Sequence, residues 1–440
     1  MTLRKVGELF LEAKPFPEML SVITDPNLEV FQVTTDLSAA GNTRFGFFSA
    51  DGSRFFFARH RDNSGLGNGV QYEMCEVNDG FALRLLTGDD DPRMPVVSAD
   101  GRYFYYFANP PANSGAGVTL KRVDLTTFAV EQLAVYDAPV EGVGWKLRAV
   151  SSRPGSMRAD GQMFCAGGEC ETPDGETYFT PIFVNLNTLA MHGFEWTPWS
   201  WRVGGTYFPG TDPRYMNRLS MGRVGISERW DPPEYHYVTH TYGYSAQHVV
   251  DEYGHILGTL PFGGVREENT SHTCWRGANY EMLSHSGRFD TAPHWRGTIM
   301  CAAPVDCPPD EYTLGRNIPG ARRVELTRKF TRPDVCHISW HDNGINGVCD
   351  TEGWQGRGTP CLQGPSAFLY LATLIENGTE DPYLVTKYLL HPRSSWDGAF
   401  TENCPVLSPD LRTVFFNSDW TCTLGQPQVF AVRGFEFLHG

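Results

Sequence analysis

The chain is short of everything that marks a membrane or nucleic-acid protein. No apolar run approaches the roughly 18 residues a spanning helix needs, and none follows Met1-Thr2-Leu3-Arg4-Lys5, where a secretory leader would carry one. The expectation is a cytoplasmic protein, or a periplasmic or secreted one whose leader has been removed, with no membrane partner. Positive charge is scarce. The 36 Lys and Arg against 51 Asp and Glu leave a net charge of −15, which argues against nucleic acid as partner. An anionic ligand would have to meet its cations in one cleft. Eleven cysteines form no CxxC pair, so most read as reduced thiols, with Cys301–Cys307 and Cys349–Cys361 as the pairs an oxidising compartment would bridge. No GxSxG elbow, Walker A loop or GxGxxG fingerprint is present. Gly65-Leu66-Gly67-Asn68-Gly69 follows a polar loop and reads as a turn. Helical periodicity is also rare. The best stretch, residues 5–20, is broken by Pro15 and Pro17, and residues 366–374 fit a helix or a strand.

What is present is a repeated phrase: an apolar run, a turn built on Asp-Gly or a relative, then a second run of strand formers. Residues 47–57 turn at Asp51-Gly52, 96–106 at Asp100-Gly101, 156–164 at Asp160-Gly161 and 406–416 at Pro409-Asp410. Three looser copies turn at Asp231-Pro232-Pro233, Arg276-Gly277 and Asp342-Asn343-Gly344. Asp-Gly tolerates the positive dihedrals of tight turns, and the aromatic and β-branched flanks suit a pleated surface. Seven hairpins in 440 residues give about 60 residues each, the size of a four-stranded propeller blade with loops. The expectation is an all-β, seven-bladed β-propeller with four-stranded antiparallel blades. A two-sheet sandwich or several β domains is the alternative. Residues 1–30 are expected as a lead-in segment, with a short helix docking on the barrel, and 31–440 as one propeller domain. Long excursions are expected at 303–334 and 350–365.

Histidine supplies the functional signal. In a propeller, equivalent positions of different blades converge on the central channel. His272 (SHTCW) and His337 (CHISW) open equivalent strands, four or five residues before the turn. Imidazoles arriving together from neighbouring blades make a metal site or an acid–base cluster. Asp334 adds a candidate oxygen ligand, and His341 is a further candidate. Arg59, His60 and Arg61 follow the first clear hairpin as candidate carboxylate binders. The aromatic cluster at 194–201 reads first as core or rim packing.

These residues resemble the oligogalacturonate lyase family, seven-bladed propeller lyases of short pectin fragments. The resemblance rests on the hairpin phrases, on Thr239-His240-Thr241-Tyr242-Gly243-Tyr244 leading to Val249-Val250-Asp251, on Glu267-Glu268-Asn269-Thr270-Ser271-His272, on Asp334-Val335-Cys336-His337-Ile338-Ser339, and on the closing stretch 405–419. It implies that His240 is the Brønsted base, that His272 and His337 ligate a divalent metal, and that Mn²⁺ is favoured, with Ca²⁺ the second choice. Asp334 and Ser339 stand where the family has Gln and His. His341 is then the residue that would compensate, unless the metal differs or is absent. The family's catalytic Arg falls among Arg214, Arg218, Arg223 and Arg229. Arg218 is taken as catalytic, with Arg214, Arg223, Arg59 and His60 binding substrate. The implied substrate is a 4-linked uronate oligosaccharide, opened by β-elimination to a 4,5-unsaturated product. The alternatives are a lyase or glycosidase for another uronate glycan, such as a rhamnose–glucuronate chain, and a non-catalytic propeller that binds glycan or protein.

Overall fold

The structure is a computed structural model that describes residues 4–36, 39–60, 70–88, 91–111, 114–150, 156–158, 160–194, 216–217, 247–250, 253, 256–260, 269–276, 281–287, 297–303, 305, 322–330, 335–351, 367–395, 401–421 and 426–438. Its strands make seven antiparallel sheets, the blades of a seven-bladed β-propeller. Blade one runs Ala40–Phe48, Arg54–His60, Val70–Glu76, Ala82–Leu85 from the innermost strand outward, with Leu9–Phe10 on its outer edge. Blade two is Pro92–Val97, Tyr103–Ala108, Val118–Asp124 and Val130–Tyr136. In blade three, Lys146–Val150 and Ser156–Arg158 share one partner, Met163–Glu171, so the inner strand is split. Blade four is described through Gln247–Val250 and Ile256–Leu260. Blade five starts with Asn269–Trp275 and Met282–Gly287, and blade six with Val335–Trp340 and Asn346–Thr351.

Blade seven closes the ring. Val406–Leu407, Val414–Ser418 and Gln428–Arg433 come from the C-terminal end, and Glu29–Gln32 with Lys14–Pro15 from the N-terminal end. The segment expected as a lead-in therefore supplies sheet to two blades, and its strand Glu29–Gln32 runs through residue 30. The helical pattern at 5–20 resolves into two short strands and one 3-10 turn, Pro17–Met19. The prolines explain this: Pro17 starts a turn well but its ring forbids a longer helix around it. Residues 366–374 follow their β-branched and aromatic content and contribute the strand Leu369–Ile375. Among the described residues no helix is long and apolar enough to cross a membrane.

The repeated phrase is a turn with fixed chemistry. In blades one, two and seven the Ser49, Ser98 and Ser408 hydroxyls donate to Asp51, Asp100 and Asp410, whose carboxylates also accept the backbone N–H of Ser53, Arg102 and Arg412. The dihedral φ is +71° at Gly52 and +69° at Gly101, the left-handed region glycine enters without steric cost. Six of the seven hairpins lie in described sheet. The copy at 226–240 lies outside the described residues. The core sits between blades. Phe47 stacks on Phe56 at 5.1 Å and Phe56 on Phe104 at 5.6 Å, joining blades one and two. Phe55 stacks on Phe415 at 4.1 Å, joining blades one and seven.

Candidate metal centre

Register fixes which end of the ring matters. Ala40 pairs with His60, Asn269 with Gly287 and Val335 with Thr351. Each inner strand thus starts at the mouth where the second strand ends. The inner strands do not run straight. Blade five shifts register between Ser271 and Thr273, where His272 lies, and blade six between Val335 and Ile338, where His337 lies. A bulge leaves a residue unpaired and re-aims its side chain, which is why bulges collect near sites. Counted back from the last residue before the turn (Trp275, Trp340 and Leu407), the third position is His272, His337 and Cys404 in three successive blades. Cys404 has φ +41°.

His337 is held on two sides. It is 3% exposed, and Asp350, one strand away, is fully buried. The Asp350 carboxylate accepts the His337 backbone N–H at 2.7 Å and lies 3.1 and 2.9 Å from ring Nδ1. This contact assigns the proton to Nδ1 and turns Nε2 outward. Nε2 lies 3.3 Å from Glu402 Oε2. The ligand atoms of His337, Glu402 and Cys404 all lie within 4.8 Å of one another. The backbone of residues 402–404 is clamped in turn. Asn417 Nδ2 donates to the Glu402 carbonyl and the Asn417 N–H to the Asn403 carbonyl. Thr43, from blade one, donates its hydroxyl to the Cys404 carbonyl at 3.0 Å and its N–H to Asn417 Oδ1 at 2.8 Å.

One imidazole, one carboxylate and one thiol around a common point, with a carboxylate behind the imidazole, is a donor set for a first-row divalent transition ion. It fits manganese less closely than zinc or ferrous iron, and it does not suit calcium, which takes six to eight oxygens.

The other candidates fare differently. His341 sits past the far end of Val335–Trp340, in the turn at the opposite mouth from His337. Its Nε2 donates to the Pro409 carbonyl at 2.7 Å and its Nδ1 accepts the Asn343 N–H at 2.9 Å. It occupies the place of Ser49 and Ser98 in the turn phrase and has no ring nitrogen left for a metal. Arg59 is buried between two carboxylates, Glu12 and Glu73, each at 3.1 Å. Burial works against the Glu12 charge, but Arg59, the Thr35 N–H and Arg4 outweigh it and hold the carboxyl below its usual range. Burial pushes Glu73 up. The Arg59 charge is thus met inside the protein, where it ties the N-terminal segment to blade one. His60 is also buried. The strand that carries His272 is described, though its side chain is not. His240, Arg214, Arg218, Arg223 and Asp334 lie outside the described residues. Cys301 and Cys349 are buried thiols, and Cys307 and Cys361 lie outside the described residues. Sequence reading missed Asp350, Glu402 and Cys404. Counting three back from the strand end in the closing hairpin would have found Cys404.

Fold and register together define a seven-bladed propeller with a His–carboxylate–thiol cluster at one mouth. Solved structures similar to it include an oligogalacturonate lyase from Vibrio parahaemolyticus (16% identity, TM-score 0.60, covering 98% of each chain). An oligogalacturonate lyase in complex with manganese has 15% identity and a TM-score of 0.62, again covering 98% of each chain. The hydrazine synthase of Kuenenia stuttgartiensis has 12% identity and a TM-score of 0.50, covering 90% of this chain and 96% of that one. No protein-family profile and no curated protein sequence matches the chain. The likeness expected from the sequence is therefore met in the fold, along almost the whole chain.

Proposed function

We propose that this protein is a metal-assisted lyase that breaks a 4-linked uronate chain by β-elimination, with oligogalacturonate-type oligomers as the favoured substrate. One observation carries the reading: His337, oriented by Asp350, faces Glu402 and Cys404 at the mouth of a propeller shared end to end with oligogalacturonate lyases, one of them in complex with manganese.

The reaction removes the proton at C5 of the uronate, beside a carboxylate that is already negative. A bound divalent ion would draw charge from that carboxylate and stabilise the enolate-like charge as it develops. His337, Glu402 and Cys404 would hold the ion, with His272 as a further ligand from blade five. His240 takes the C5 proton as a neutral imidazole, whose pKa sits near working pH. Arg218 neutralises the substrate carboxylate, and Arg214 and Arg223 grip neighbouring sugar acids.

The test is direct. Replace His240 by Ala and follow the 4,5-unsaturated product by ultraviolet absorbance. Loss of about 10²–10⁴-fold is expected for a general base. Full activity on an accepted oligomer would remove His240 from the reaction. A panel of uronate polymers, with and without added Mn²⁺ or Zn²⁺, separates oligogalacturonate from rhamnose–glucuronate substrates.

A further inference from the structure

We infer that Cys404 is a metal ligand, and that its sulfur makes the centre selective for borderline ions of the zinc, cobalt and ferrous class over manganese and calcium. This rests on the ion-binding part of the function proposed above and not on its lyase part.

Four observations converge. Cys404 stands three residues before the end of the inner strand of blade seven, the place that His337 holds in blade six and His272 in blade five. The Cys404 sulfur, a His337 ring nitrogen and a Glu402 oxygen all lie within 4.8 Å of one another, and His337 Nε2 is 3.3 Å from Glu402 Oε2. An ion bonded at about 2.0–2.3 Å holds tetrahedral ligands roughly 3–4 Å apart, a spacing close to that of these three groups. The backbone at Cys404 is in the left-handed region, unusual for a residue with a Cβ, and is kept there by Thr43 on its carbonyl and by Asn417 on the two residues before it. Such a conformation persists only where its surroundings fix it. Finally, His337 is already oriented by Asp350, the carboxylate–histidine pairing that supports metal-bound imidazoles.

Sulfur decides the metal. Imidazole and carboxylate accept manganese, zinc and iron alike, whereas a thiolate favours softer ions and is foreign to manganese and calcium sites. On binding, the Cys404 S–H gives its proton to solvent, the sulfur donates an electron pair to the ion, and the ion keeps its oxidation state.

The experiment loads chelator-treated full-length protein with Co²⁺ and records its absorption, then loads it with Zn²⁺ for X-ray absorption. The expected results are a near-ultraviolet sulfur-to-cobalt charge-transfer band and a Zn–S shell at about 2.3 Å. Cys404→Ala should lose the band and bind zinc at least about tenfold more weakly. The zinc measurement uses unaltered protein, so a variant that fails to fold does not block the test. Cobalt bound with visible d–d absorption but no charge-transfer band, or a zinc shell without sulfur, would overturn the inference and leave the metal reading standing. Failure to bind any of these ions would overturn both. An intact sulfur–cobalt band in a protein inert on every uronate polymer would support the inference and remove the lyase.

Discussion

Blades one and two and blades six and seven are built from the same phrase but spend it differently. In the first pair the inner and second strands fill the interior with rings: Phe47, Phe56, Phe104 and Tyr106 are all buried, and the bulge position of blade two carries Met94, also buried and with φ +50°. In the second pair the position three before the strand's end carries His337, in the register shift of blade six beside a fully buried aspartate, and Cys404, just ahead of the inner strand of blade seven. Turn chemistry and register are shared. The residue three places before the turn differs: apolar Met94 in blade two, His337 in blade six and Cys404 in blade seven. The register shift recurs in blades two and six, and the residue it leaves unpaired is apolar in one and an imidazole in the other.

The comparison breaks most sharply by substitution on its two sides. His337→Ala removes one partner of a buried pair and leaves Asp350 as an uncompensated charge, so about 3–5 kcal/mol of stability should go, together with metal binding. Calorimetry and metal titration read the two losses. Phe56→Ala should cost a similar 3–5 kcal/mol but leave the metal affinity of the folded fraction unchanged. Equal loss of metal affinity in the two variants would erase the distinction between the arcs. Asp350→Asn keeps the shape and a neutral acceptor but weakens the hold on Nδ1. Metal affinity should fall about 10–100-fold, measured by competition with a chelating dye.

The fold was legible because its signal is local and repeated. The Asp-Gly turns at 51–52, 100–101 and 160–161 each close a hairpin at their own positions. The pairing of Glu29–Gln32 with Gln428–Arg433 was not legible, since nothing in either short run names a partner some 400 residues away. His337 could be singled out because it sits at a repeat position. His341, offered as a compensating ligand for the site of His337, stands at the opposite mouth, because the strand between them carries the two imidazoles apart. Asp350 hides in a strand that reads as ordinary alternation. Cys404 hides because sequence reading stopped at the turn.

The smallest effect belongs to the shared turns. Ser98 and the Arg102 N–H hold the Asp100 carboxyl below its usual value of 3.8. A carboxylate depressed in the folded state contributes stability fully above its unfolded value and loses it as pH falls through the folded one. Asp100 is exposed, so Asp100→Ala should cost only about 0.5 kcal/mol at neutral pH, and the deficit should shrink below pH about 4, seen in paired thermal melts.

The most direct single measurement strips the protein with a chelator, restores it with Zn²⁺ or Mn²⁺, and follows the 4,5-unsaturated product from uronate oligomers beside His337→Ala. Activity that vanishes on chelation, returns with metal in the unaltered protein and never returns in the variant is the expected result. Full activity after chelation, or a variant as active as its parent, would contradict a metal centre gathered from adjacent blades.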